Sequence, residues 1–156
     1  MIIRMTGAQP IFHHLGAVRS GALVEVYPGL EMTAAELAGF AERIKQRPYV
    51  IDTKHLQRAG EDGKSLLWPW PEALEELLRW TALVHVQPLN REDLMRSLAG
   101  ERTGMVQILS HLKEWGYDGD FVIEIPPDIL GASYFLNPPR MIEILHNVRE
   151  LIEAYI

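Results

Sequence analysis

The chain has 156 residues, a formal net charge of −6, 47% hydrophobic against 23% charged residues, and no cysteine. The absence of cysteine excludes a disulfide scaffold, an iron–sulfur cluster and thiolate-bound zinc, and the length suits one domain, residues 1–156. Lys and Arg are scattered without a basic stripe, which argues against nucleic acid as a main partner. No apolar run approaches the roughly 20 residues that span a bilayer. The opening MIIRMTGAQP lacks the apolar core of a signal peptide, so a cytoplasmic setting away from membranes is expected.

Taken in chain order, Ile2–Met5 (IIRM) is the first candidate strand, and Pro10–Ser20 reads as a helix. Ala22–Tyr27 (ALVEVY) is β-rich. A capping box at Thr33-Ala-Ala-Glu36 opens a helix carrying Leu37, Phe40, Ala41 and Ile44 at helical spacing. The next strand is Tyr49–Asp52 (YVID). Gly60–Gly63 and Trp68-Pro-Trp-Pro71 read as one long loop. Pro71 starts a helix through Leu74, Leu77, Leu78 and Trp80. Ala82–Gln87 (ALVHVQ) is a strand, and Asn90 to Asp93 caps a short helix ending near Gly100. Met105–Trp115 is a helix with Gly116 as its left-handed terminator. Phe121–Ile125 (FVIEI) is the last strand, and Pro138–Ala154 the last helix. Strands alternating with helices make βα units and a parallel sheet, hence an α/β fold.

The strands share a feature: Glu25, Asp52, His85 and Glu124 each stand near the end of an apolar stretch. They are separated by 27, 33 and 39 residues, about one per βαβ unit of roughly 30 or more residues. Alone, each has a bland explanation as an edge charge, a paired acid or a core histidine. Together they are harder to dismiss. Burying a carboxylate costs several kcal/mol unless something compensates it, and one divalent cation compensates all four most simply. In a barrel such residues converge at the C-terminal ends of the strands. Other signals are weaker. His13-His14 suits a loop or surface, and Trp68–Trp70 suits a packed rim loop as well as a sugar platform. Neither a G-x-S-x-G elbow, a phosphate loop nor a dinucleotide fingerprint is present.

Four segments resemble the xylose isomerase-like TIM barrels, a superfamily of sugar isomerases, ketose 3-epimerases, inosose dehydratases and endonuclease IV relatives. They are VEVYPG with Glu25, IDTKH with Asp52 and His55, LVHVQPLNR with His85 and Arg91, and LKEWGYDGDFVIEIPP with Glu124. The resemblance covers roughly residues 20 to 156, the C-terminal half of such a barrel, and implies the last four or five units of a (β/α)8 fold. In the epimerase branch it implies that Glu25, Asp52, His85 and Glu124 hold one divalent metal. It further implies that His55 and Arg91 contact substrate oxygens. Two acids, Glu25 and Glu124, would then exchange a proton on opposite faces of a sugar. The donor set suits Mn²⁺, Co²⁺ or Mg²⁺ better than Zn²⁺, which is not excluded. Pro88 stands where the superfamily often has an Asp, and the D-x-H pair of the endonuclease relatives is missing.

A full barrel takes about 250 residues. The half-length predicts a homodimer or a partner chain that completes the shared core, or else a shortened piece of a larger protein. The expected function is a divalent-metal sugar or polyol isomerase or epimerase working through an enediolate on a small sugar-like substrate. The alternative is a non-catalytic or degenerate half-barrel, either a binding or assembly module or a fragment of a larger barrel.

Overall fold

Parallel pairing runs through the molecule in chain order. The computed structural model describes residues 12–13, 23–26, 49–59, 65–67, 79 and 81–155. The strand expected at Ile2–Met5, the Gly60–Gly63 loop and the Trp68–Trp70 segment lie outside them. So do the helices expected from Thr33 and Pro71, apart from Arg79, which is helical. Strands β1 (Phe12–His13), β2 (Leu23–Val26), β3 (Tyr49–Asp52), β6 (Thr81–Val86) and β7 (Asp120–Ile123) form one five-stranded sheet in the order β1-β2-β3-β6-β7. Every pairing in it is parallel. Among the described strands the order never reverses, so no switch point of a doubly wound sheet falls between them.

Two expectations are corrected. Phe12–His13 is a strand rather than part of a helix, and it pairs with Leu23 and Val24. This also moves His13 from a loop into the sheet. Between β3 and β6, the chain makes an antiparallel pair, β4 (Gln57–Ala59) with β5 (Ser65–Leu67), that flanks the expected loop.

The helices follow local chemistry closely. Helix α1 (Arg91–Leu98) is capped by Asn90, whose side chain accepts from the Asp93 amide at 2.9 Å, while Asp93 Oδ2 accepts from the Leu89 amide at 2.8 Å. Helix α2 (Gly104–Glu114) is capped by Thr103. Each such cap contributes about 1 kcal/mol. Both helices stop on a glycine at positive φ, Gly100 at 81° and Gly116 at 68°. The Glu101 amide reaches the Arg96 carbonyl, and the Tyr117 amide reaches that of Leu112. These are the closing bonds of a Schellman stop. Two short helices, α3 (Pro127–Leu130) and α4 (Ala132–Phe135), precede the long α5 (Pro138–Ala154).

Alternation along the strands separates two faces. Ile51, Val84, Val86, Phe121 and Ile123 join the main core with Leu94, Met105, Ile108, Leu109, Leu112 and the apolar stripe of α5. On the other face, Val50, Leu83 and Val122 make a second, smaller apolar cluster. None of the described helices is long and apolar enough to cross a membrane.

Candidate metal centre

Three strands repeat one short pattern: Val50-Ile51-Asp52, Leu83-Val84-His85 and Val122-Ile123-Glu124. The first residue of each enters the small cluster, the second enters the main core, and the third lies two residues beyond the first on the same face. Apolar layers therefore bury the strand ends and present an acid, an imidazole and a second acid at one rim. Asp52 pairs directly with His85 across the β3–β6 ladder. Glu124 follows β7, its amide bonded to the Val86 carbonyl at 3.1 Å.

The convergence is close. One candidate ligand atom from each of Asp52, His85 and Glu124 lies within 4.8 Å of the other two. Glu124 Oε2 is 3.3 Å from His85 Nδ1. Asp52 is only 2% exposed and His85 8%, whereas the Glu124 side chain is 49% exposed. Ligands held about 2.1 Å from an octahedral ion stand about 3 Å from their neighbours. The His85–Glu124 separation already fits that figure, and the exposure of Glu124 leaves it room to close on the others. Two carboxylates and one imidazole are a donor set that hard or borderline divalent ions accept. The residues present therefore fit such an ion.

The remaining candidates sit differently. Asp52 caps a 3₁₀ turn over Thr53–Leu56, its Oδ1 accepting from the Lys54 amide at 2.8 Å. That turn brings His55 back, with Nε2 3.9 Å from Asp52 Oδ2. Burial pushes the His55 pKa below the ordinary imidazole value, and the Lys54 ammonium adds to the shift. Both effects favour the neutral ring. Arg91 is the first residue of α1, and its guanidinium carbon lies 5.6 Å from the centre of the Tyr134 ring, which Arg140 also approaches at 5.2 Å. Glu25 pairs with Val50 in the β2–β3 register, and its side chain lies outside the described residues.

Sequence reasoning missed what lies behind this cluster. Thr53 is fully buried, and its hydroxyl donates to the Gln87 carbonyl at 2.7 Å and accepts from the Gln87 amide at 2.9 Å. Buried Gln57 donates Nε2 to the Thr53 carbonyl at 2.9 Å. A polar residue directly after a strand-end acid is the one sequence signal that could have drawn attention to Thr53.

No family model matches the chain, and comparison with curated proteins and solved structures found no match.

Proposed function

We propose that this chain is a divalent-metal-dependent isomerase or epimerase of a small sugar or polyol, built on part of a (β/α) barrel. The observation that carries this reading is the meeting of Asp52, His85 and Glu124 at the C-terminal ends of neighbouring parallel strands. The unreversed strand order and the layered inner face support the barrel. In this reading Asp52, His85, Glu124 and Glu25 hold Mn²⁺, Co²⁺ or Mg²⁺. Such an ion supplies a Lewis acid that lowers the energy of an enediolate.

The chain's own groups do the rest. Glu124, half exposed at the rim, is the base that removes the proton beside the carbonyl, and Glu25 returns one on the opposite face. Neutral His55 donates a hydrogen bond to the developing oxyanion, and Arg91 adds positive charge at the mouth. A second copy or another chain adds strands to complete the barrel.

The test is proton exchange. Ketopentoses and ketohexoses incubated in D₂O with Mn²⁺ or Co²⁺ should gain deuterium beside the carbonyl, read by proton NMR. Glu124→Gln should slow exchange by about 100-fold or more. Full exchange in that variant would overturn the acid–base assignment. The exposure of Glu124 also favours a second reading, a cation-binding module with no turnover, since water reaches the rim freely. That reading predicts stabilisation by the ion with no exchange into any sugar.

A further inference from the structure

We propose that Thr53 is a positioning residue for the cation site, with Gln57 as its brace; this rests on the metal-centre reading above. The β3–β6 ladder ends at the Asp52–His85 pair. Beyond it the backbone of β3 turns away into the 3₁₀ turn at Thr53. At that point the Thr53 hydroxyl takes over from the ladder. It makes two hydrogen bonds to the backbone of Gln87, 34 residues away, one as donor and one as acceptor. Asp52 and His85 are thus the last ladder pair, with this side-chain clamp immediately beyond them. Their separation cannot widen without breaking one or the other.

Gln57 holds the clamp from below. It is fully buried, and its Nε2 donates to the Thr53 carbonyl. Its Oε1 is buried and has no hydrogen-bond partner among the described residues. It lies against Gly104 at the start of α2, where an added Cβ would stand 2.8 Å from Oε1. An unsatisfied buried acceptor is a penalty that a leucine of similar size would avoid. Its presence is explained if Gln57 fixes the Thr53–Lys54 peptide, whose amide donates to Asp52 Oδ1. Residues behind metal ligands set their orientation in this way, and losing them weakens metal binding about 10- to 100-fold.

Three variants of the full chain test the role, with Co²⁺ alone as the probe. Its affinity is read from the visible absorption of the bound ion, and exchange of the Gln87 amide with D₂O is followed in the cation-free protein. Thr53→Val should speed Gln87 exchange and weaken Co²⁺ binding about 10- to 100-fold. Thr53→Ser should restore both. Gln57→Leu should keep the melting temperature while weakening Co²⁺ binding, and it keeps the test open if Thr53→Val folds poorly. Unchanged Co²⁺ affinity in Thr53→Val, with Gln87 exchange accelerated, overturns the positioning role and leaves the metal centre standing. A wild-type chain that protects the Gln87 amide and binds no Co²⁺ overturns the metal centre itself, and the positioning role with it.

Discussion

The stretch from Thr103 to Asp120 and the three strand ends that carry Asp52, His85 and Glu124 treat polar groups in opposite ways. In the first, each special residue answers a local backbone need. Thr103 caps α2, Gly116 supplies the left-handed stop, and Tyr117 turns its hydroxyl onto the Asp120 carbonyl at 2.9 Å. The Tyr117 ring meets Phe121 edge-on at 5.2 Å, and Gly119 leaves space for that ring because any Cβ there would collide with it. At the strand ends, by contrast, the sequence places ionisable groups where apolar layers bury them. Two of the three are almost fully enclosed. Asp52 also caps the turn that follows it, but no local rule requires an imidazole at His85 or an acid at Glu124. The G-Y-D-G run is thus explained by a helix stop and a strand start, and it carries no chemistry of its own.

Damage to the packing should separate the two regions most sharply. Leu109 is buried in the main core. Leu109→Ala should lower stability by about 2–5 kcal/mol, measured by urea denaturation, and leave the cation affinity of the folded fraction unchanged. A loss of affinity matching the loss of stability would show that the two regions are not separable. Gly116→Ala forces a side chain into φ +68°. It should cost about 1–2 kcal/mol in the same assay, again with cation binding intact. Tyr117→Phe removes one part-buried hydrogen bond and should cost about 1 kcal/mol. This site also has a pH signature. Burial raises the Tyr117 phenol pKa above its ordinary value, with Asp120 and then Asp118 adding to the shift. A raised acid is harder to ionise in the folded state. Its contribution is therefore complete below about pH 10 and is lost as pH rises from there toward the raised value. Tyr117→Phe should flatten that alkaline decline in stability, and an unchanged slope would refute it.

How far the sequence could be read follows from the same contrast. The last helix runs from Pro138 to Ala154, as its proline start and apolar spacing indicate. The stops at Gly100 and Gly116 are equally legible, because caps and left-handed glycines act within a few residues. Strand β1 was illegible: a two-residue strand has no periodicity, and its pairing with β2 is a tertiary fact. The β4–β5 pair was hidden for the same reason, since Gln57–Ala59 is short and mixed in character. The cluster of Asp52, His85 and Glu124 was legible as three ionisable residues at the ends of three apolar runs, and the geometry brings those three together. Glu25 ends a matching Leu23-Val24-Glu25 run, and its side chain lies outside the described residues. The Thr53–Gln87 clamp could not be read, because its partners are 34 residues apart and one of them contributes only backbone. Arg91 was legible as a cation six residues beyond His85, whereas its stacking on Tyr134 depends on how α4 packs.

The central claim is that one cation binds where β3, β6 and β7 end. Paramagnetic Mn²⁺ tests it directly, because it broadens amide signals of nearby residues in a ¹⁵N-resolved NMR spectrum. Substoichiometric Mn²⁺ should first erase the signals of Asp52, Thr53, His85, Val86 and Glu124, and Asp52→Asn should abolish that selectivity. Broadening centred instead on the surface pairs His111–Glu114 or His146–Glu150, each 3.2 Å apart, with the strand ends untouched, would contradict the account.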